Sequence, residues 1–405
     1  MSAIRLTVVM THPAQYLAPW FRHVAREPAI DLTVLYATAP SPAQQGVGFD
    51  RAFEWDVPLT DGYRARVLRA PEPGDHVGAD RFFGVDAPAL ADAIAETRPH
   101  AALVPGWHSV VLLRALLACR RLGVPAIYRG DSTVASGPSG FRRPLWAMRT
   151  RGLLRLYAAW LAVGTRSREY LLRFGAPAER VFHSPHCVDH ERFAEGARAV
   201  SGEARVAARA AAGIAPGDFT VLFAGKLEPK KRVADLVRAV ARLGPGAVLA
   251  VAGAGVEEPA LRALAAEAGA RVAWLGFVNQ RELPRAYALA DCLALPSDGR
   301  ETWGLVVNEA LACGLPSVVS DRVGCAPDLI EPGRTGETHP VGDVPALAAA
   351  LDRVRRRLAA GHDFAPAARA RAAAHSFAAA TAGLLAACRR VTAGDPAPVE
   401  KRALR

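Results

Sequence analysis

Short apolar runs recur along the chain, and most are separated by stretches whose apolar positions fall three and four residues apart. Runs of the first kind predict buried strands and stretches of the second kind predict amphipathic helices; their alternation is the signature of parallel α/β architecture. In the first half the pattern predicts strands at Arg5–Val9, Leu32–Tyr36, Ala101–Val104, Ala126–Tyr128, Ala159–Val163 and Val181–His183. Helices are expected between them, including Pro88–Thr97, Val110–Arg121 and Ser167–Phe174. Residues 39–76 are irregular and rich in Pro, Gly and aromatics, too long for a plain connection, and read as an insertion near a cleft.

From Glu191 to Asp218 the chain is rich in alanine, glycine and charge, with few large apolar residues, which suits a linker. Alternation then restarts. Strands are expected at Thr220–Ala224, Val248–Val251, Val272–Leu275, Cys292–Leu295 and Ser317–Ser320. Helices are expected at Val233–Leu243, Pro259–Ala268, Leu283–Ala290 and Leu305–Cys313, and Val344–Arg390 is helical by composition. The economical arrangement is two doubly wound domains facing each other across a cleft, with ligands at the carboxyl ends of the strands. Residues 1–195 form the first domain, 196–217 the linker, 218–375 the second domain, 376–393 a final helix and 394–405 a tail.

Charge sharpens this picture. The chain of 405 residues has 50 basic and 39 acidic side chains, a net charge of +11. Only four of the basic residues are lysine, and Lys226, Lys230 and Lys231 lie together. A compact ammonium suits a phosphate in a tight pocket, whereas a guanidinium prefers planar partners. The remaining charge reads either as a solvated arginine-rich surface or as attraction to anionic substrates or membrane. With 7% aromatic residues and no basic stripe interleaved with stacking side chains, nucleic acid is not an expected partner. No apolar run reaches the length of a membrane span, about 18 residues. The N-terminal IRLTVVM reads as a strand rather than a signal peptide. Six scattered cysteines suit reduced thiols, so a cytoplasmic location is expected.

Two stretches carry candidate chemistry. Gly225, Lys226 and Lys231 sit between a strand and a helix, where glycine permits a tight turn and the lysines can clamp a pyrophosphate; an ordinary exposed basic loop is the alternative. Glu301 and Glu309 flank a helix expected to start near Gly304, whose free amides form an anion site. Glu309, inside that helix, can accept bonds from ribose hydroxyls, and Glu301 can reach a sugar beyond the phosphates; an ordinary loop glutamate and an ordinary helix glutamate are the alternative.

Together with Val323-Gly324-Cys325-Ala326-Pro327-Asp328, Thr335-Gly336 and Gly342-Asp343, these stretches make residues 218–390 closely resemble glycosyltransferase family four, the retaining glycosyl transferases group 1. The resemblance implies a GT-B fold: two Rossmann-like domains across a cleft, with the C-terminal helix returning to the first domain. It implies a retaining enzyme that uses a nucleotide-sugar donor. Lys226 and Lys231 would neutralise the departing diphosphate, Glu301 orient the donor sugar, the amides of Gly304 and Leu305 touch the donor and Glu309 hold the ribose. Phe277 and Val278 would flank the base. With no Asp-x-Asp pair in the chain, no metal or other cofactor is expected.

The first half departs from the family pattern. The loop Thr11–Pro19 has no glycine, and His12, Gln15 and Tyr16 are its cleft candidates; a plain capped turn is the alternative. Where the family places a histidine near the donor sugar, this chain has Tyr128-Arg129-Gly130-Asp131-Ser132, which makes Asp131 the expected polar or proton-accepting replacement and His108 its alternative. His183, His186, Cys187 and His190 have spacings that could serve zinc, but the run resembles the family's strand-to-linker turn and no metal site is expected. Residues 141–161 mix five arginines with aromatic and aliphatic side chains, either to rest on an anionic membrane at the inner face of the cell and reach a lipid-linked acceptor or simply to pack a helix on the sheet. The expected activity is transfer from a UDP-, GDP- or dTDP-sugar to a sugar, lipid-linked or small-molecule acceptor, in making a cell-surface polysaccharide, glycolipid or glycosylated metabolite. A sugar-nucleotide epimerase or coupling enzyme, and a non-catalytic sugar-nucleotide-binding protein, are the rivals.

Overall fold

The strands that the apolar runs predict assemble into two sheets. The computed structural model describes residues 3–78 and 80–393. The first sheet consists of β1 (Ile4–Met10), β2 (Ile30–Thr38), β3 (Arg64–Arg69), β4 (Ala101–Val104), β5 (Ala126–Gly130), β6 (Ala159–Ala162) and β7 (Val181–His183). Its order is β3-β2-β1-β4-β5-β6-β7. The second consists of β8 (Phe219–Ala224), β9 (Ala247–Ala252), β10 (Val272–Gly276), β11 (Cys292–Leu295), β12 (Ser317–Ser320) and β13 (Gly336–His339), in the order β10-β9-β8-β11-β12-β13. The strand pairs are parallel in both sheets. Helices cover both faces of such sheets, so inner strands such as FTVLFA (β8) and AVLAVA (β9) are buried along their whole length. In each sheet the winding reverses beside the first strand, and ligand crevices form there at the carboxyl ends.

Two strands depart from the sequence expectation. β3 lies inside the stretch read as irregular; half of RARVLR is arginine, and as an edge strand it leaves Arg64 and Arg66 largely in solvent while Arg69 turns to Asp75, so no apolar run marks it. β13, GETH, is a short edge strand drawn into place by its register with Ser317–Ser320. The linker expectation also changes in content. Residues 190–211 are mostly two helices, His190–Arg198 and Gly202–Ala211. Arg209 is buried and donates to the carbonyls of Leu289 (2.9 Å) and Asp218 (2.6 Å), while Arg205 donates to Ala288 (2.7 Å). Guanidinium groups seated on carbonyls hold this segment to the second domain where apolar residues are scarce.

The helix Phe377–Thr392 buries Ala380, Leu384, Ala387 and Cys388 against Leu6, Trp20 and Phe21 of the first domain. Trp20 Nε1 donates to Thr381 Oγ1 at 3.1 Å, and Ser184 Oγ to the Ala380 carbonyl at 2.8 Å. Gly383 permits the approach, because a Cβ there would lie 1.9 Å from the His183 carbonyl oxygen. The tail 394–405 lies outside the described residues. Among the described residues, no helix is long and apolar enough to cross a membrane.

Two further contacts tie the domains together. The Asp328 carboxylate accepts from the Thr165 amide (3.0 Å) and hydroxyl (2.8 Å) at the start of the helix Thr165–Arg173. Residues 46–56, from the insertion after β2, reach across to the second domain. There Phe49 and Phe53 pack on Phe277 with ring centroids 5.1 and 4.4 Å away, and Asn279 Nδ2 donates to the Glu54 carbonyl at 2.7 Å.

Candidate functional site

Two adjoining cavities open where strand ends of the two domains meet. The smaller, about 330 Å³, is bounded by residues that follow β8, β9 and β10, among them Gly225, Gly253, Phe277 and Val278, and by Glu301–Glu309. Gly225 is at φ +144°, and Gly253 packs so closely that a Cβ on it would meet the Gly225 carbonyl oxygen at 1.9 Å. Lys231 ends a short turn, Pro229–Lys231, and its ammonium donates to Glu301 Oε2. Both side chains are mostly buried, 12% and 14% exposed. Gly304, at φ +99° and with its Cα facing Leu295 and Val323, begins the helix Leu305–Ala312. Its first amides lack helical partners and give the cavity a positive rim.

Glu309 lies one helical turn inward and is buried. Tyr287 donates its hydroxyl to Glu309 Oε2 at 2.6 Å. Burial pushes the Glu309 carboxyl up to about 7, against the opposing pull of Tyr287 and Arg192. Lys226 faces elsewhere: its ammonium donates to the Val47 carbonyl at 2.9 Å and lies 5.1 Å from the Phe49 ring centroid. Burial lowers its pKa. Of the residues expected to bind donor, Gly225, Lys231, Phe277, Val278, Glu301, Gly304, Leu305 and Glu309 therefore line one cavity, and Lys226 holds Val47 in residues 46–56, the strap beside it.

The larger cavity, about 860 Å³, lies on the first-domain side. The two share Gln15, Tyr16, Asp131, His186 and Thr302. Asp131 follows β5, and its Oδ2 accepts from Thr302 Oγ1 at 2.7 Å and lies 3.8 Å from His186 Nε2. The carboxylate is enclosed by the cleft yet reachable from it, with 41% of its side chain exposed. Burial alone would raise its pKa; His186 and Thr302 outweigh burial and hold it down to about 2. Burial lowers the His186 pKa, so the ring is neutral near pH 7. His12 is likewise lowered, to about 4, by burial and then by His108. Burial also lowers His108 and raises Tyr16 to about 12. Both histidines line the larger cavity only.

His186 and Arg129 were not candidates from sequence for this junction. His186 is held by its backbone, whose carbonyl accepts from Asn308 Nδ2 at 3.2 Å, and by its ring, 5.3 Å from Trp303. Arg129 is buried beneath, 4.5 Å over the Trp20 ring and bonded to the Pro185 carbonyl at 3.1 Å. The one available signal was their place directly after β7 and at the end of β5. Cys187 turns into the first-domain core, and no group of three His, Cys, Asp or Glu among the described residues is arranged to hold a metal.

The model of the family described as glycosyl transferases group 1 matches residues 205–371. A D-inositol 3-phosphate glycosyltransferase of Mycobacteroides abscessus is 31% identical over 394 residues, 89% of this chain and 84% of that protein. A GDP-mannose-dependent alpha-mannosyltransferase of Mycobacterium tuberculosis is 36% identical over 254 residues, 60% of this chain and 62% of its own. With a D-inositol 3-phosphate glycosyltransferase of Nocardia farcinica, 37% identical, the match takes in 47% of this chain and 44% of the relative. The chain thus spans less than half the length of some curated relatives it matches. Sucrose-phosphate synthase from Thermosynechococcus elongatus superposes with a TM-score of 0.72 at 18% identity, over 97% of this chain and 100% of its own. Anabaena HepE in complex with UDP and glucose gives 0.68 at 18% identity, over 95% and 98%. These two likenesses establish the GT-B fold. Similarity to the Mycobacteroides protein along nearly the whole chain adds the family, so this chain belongs to the glycosyl transferases group 1, glycosyltransferase family four.

Proposed function

We propose that the chain is a retaining, metal-independent enzyme that moves a sugar from a nucleotide-sugar donor to an acceptor hydroxyl. The observation that carries this reading is the convergence of Lys231, Glu301, Glu309 and the helix start at Gly304 on one cavity. Breaking a glycosyl–phosphate bond leaves negative charge on the diphosphate and positive charge on the anomeric carbon. Lys231 and the amides at Gly304 and Leu305 stabilise the first, as fixed donors do where charge develops. Glu301, held by Lys231, orients the donor sugar. Glu309 accepts from the ribose hydroxyls, and Phe277 and Val278 flank the base. Lys226 swings from the Val47 carbonyl to the phosphates when donor binds. Asp131, at the junction of the two cavities, faces the reacting carbon and the incoming hydroxyl.

Relatives named for GDP-mannose and neighbours bound to UDP support a nucleotide-sugar donor. A lysine and a helix start supply the charge that a metal would otherwise supply, and the sequence has no Asp-x-Asp pair. The product belongs to a cell-surface polysaccharide, glycolipid or glycosylated metabolite made in the cytoplasm. Phe141, Leu145 and Met148 are 89%, 66% and 64% exposed among arginines, which supports peripheral contact of residues 141–161 with an anionic membrane. Thermal unfolding with a panel of UDP-, GDP- and dTDP-sugars tests the reading, because a ligand bound to the native state raises apparent stability by mass action. One nucleotide class should raise the midpoint and its metal-free transfer should proceed in chelator. Protection by no nucleotide-sugar overturns the reading; transfer abolished by chelator overturns metal independence.

A further inference from the structure

The larger cavity has an apolar wall along one side. Gln15, Asp131 and Thr302 lie where it joins the donor cavity, and His12, Asp80, His108, Ser132 and Ser136 add polar groups away from that junction. Beyond that junction the wall is built from segments that do not reach the donor cavity, through Val77, Phe82, Trp107, Leu113, Trp146 and Leu153. None of these is fully buried; Val77, Trp107 and Trp146 pack part of their surface on the first-domain core and leave the rest to line the cavity. At about 860 Å³ the cavity is of the size that holds drug-sized ligands, roughly 300–1,000 Å³.

One available cation faces this wall. Arg149 lies on the helix Arg143–Leu154 that also supplies Trp146 and Leu153. It forms no ion pair among the described residues, whereas the two carboxylates of the lining have other partners, Asp80 at His76 and Asp131 at Thr302 and His186. Arg129, the other arginine of the lining, is already stacked on Trp20 and bonded to Pro185. The apolar surface also continues outward: Phe82, Phe83, Leu145 and Met148, on the same two segments, are 37%, 81%, 66% and 64% exposed. A free sugar or a polyol phosphate would leave this apolar wall and its exposed continuation uncovered.

We infer that the acceptor is an anionic amphiphile. Its hydroxyl sits at the Asp131 end, an apolar ring or chain lies along the Trp107–Trp146 wall, and a phosphate, carboxylate or sulfate meets Arg149. The inference rests on the transferase reading above. In that reaction the acceptor oxygen bonds to the anomeric carbon, the bond from that carbon to the diphosphate breaks, and the hydroxyl proton leaves with the nucleoside diphosphate.

The test uses the full chain and tryptophan fluorescence, since Trp107 and Trp146 line the wall. The probes are glycerol phosphate, hexyl phosphoglycerol as monomers, and phosphatidylcholine vesicles with and without phosphatidylglycerol. Hexyl phosphoglycerol or the phosphatidylglycerol vesicles should bind at least about tenfold more tightly than glycerol phosphate. Monomer binding points to a soluble acceptor; binding to the anionic vesicles alone points to a lipid. Arg149→Ala should weaken binding about tenfold, the range of one charge-assisted contact, and Arg149→Lys should restore part of it. Glycerol phosphate binding as tightly as either amphiphile, no binding of either amphiphile, or an unchanged affinity in Arg149→Ala overturns the inference. Nucleotide-sugar protection on the same preparations keeps the two readings separate. Protection without amphiphile binding sinks the acceptor class alone, and no protection sinks the transferase reading.

Discussion

The two cavities are built on the same doubly wound plan, yet they gather their polar groups differently. The smaller draws its chemistry from two short stretches, 225–231 and 301–309, each fixed by a glycine at a strand end or helix start. The larger draws on scattered segments around residues 12, 80, 107, 131 and 149. On the proposed reading, a diphosphate and a ribose need only a few groups at one turn and one helix start, so their site is local in sequence. A larger and mostly apolar partner needs a wall, and a wall has to be assembled from distant segments.

The sharpest way to break this comparison is to remove the local site. Glu301→Ala and Lys231→Ala should each reduce turnover by about 10²–10³-fold or more, the scale of losing one fixed group at a developing charge. Each variant leaves a mostly buried partner unpaired, so thermal unfolding must accompany the kinetics to show that the fold persists. Full turnover in either variant would falsify the assignment of the smaller cavity. Asp131→Asn comes next, with a fall in kcat of about 10²-fold and little change in donor affinity. It keeps a partner for Thr302 but loses the charge facing the junction. If donor affinity falls as much as kcat, Asp131 belongs to donor binding and the division between the cavities is wrong.

The same contrast explains what could be read from sequence. Runs such as FTVLFA and AVLAVA must be strands because both faces of an inner parallel strand are buried. Gly225, Lys231, Glu301 and Glu309 were legible because strand–turn–helix geometry brings residues close in sequence to one place. β3 was not, because an edge strand of RARVLR can leave Arg64 and Arg66 in water and pair Arg69 with Asp75. His186 was read as a candidate metal ligand or a turn residue; its place 3.8 Å from Asp131 depends on where the chain crosses between domains. Lys226 was expected at the diphosphate; its bond to Val47, which lies 179 residues away, was not legible and sets it beside the cavity.

Glu309 sharpens the donor side with a pH dependence. Its carboxyl is raised by burial from the ordinary glutamate value to about 7. Between about 4.5 and 7 the native state therefore binds a proton that the unfolded state has released, and this group's contribution to stability is lost as pH rises through that window. Ribose hydroxyls donate best to the carboxylate, so the donor should bind more tightly as pH rises through about 7. Glu309→Gln should weaken donor binding about tenfold at pH 8 and flatten that dependence, while making the ligand-free protein more stable there by a few kcal/mol at most. Titration calorimetry and unfolding across pH 5 to 8 read both effects. A pH-independent affinity in the parent chain removes Glu309 from the ribose.

The smallest expected effect concerns the strap, residues 46–56, which pack on Phe277 at the edge of the smaller cavity. Phe49 and Phe53 pack on Phe277, and Lys226 holds the Val47 carbonyl between them and the turn at Gly225. If donor binding draws Lys226 to the phosphates, the strap loses one anchor but keeps the aromatic packing and the Asn279–Glu54 bond. Removing one ring should then cost about 0.5–1.5 kcal/mol of donor binding. Phe53→Ala is therefore expected to raise the donor KM by roughly threefold to tenfold with kcat nearly unchanged. A matching fall in kcat with no change in KM would place the strap in the chemical step. That outcome would dissolve the contrast between the cavities, because a first-domain segment that packs on the second domain would then be setting the rate.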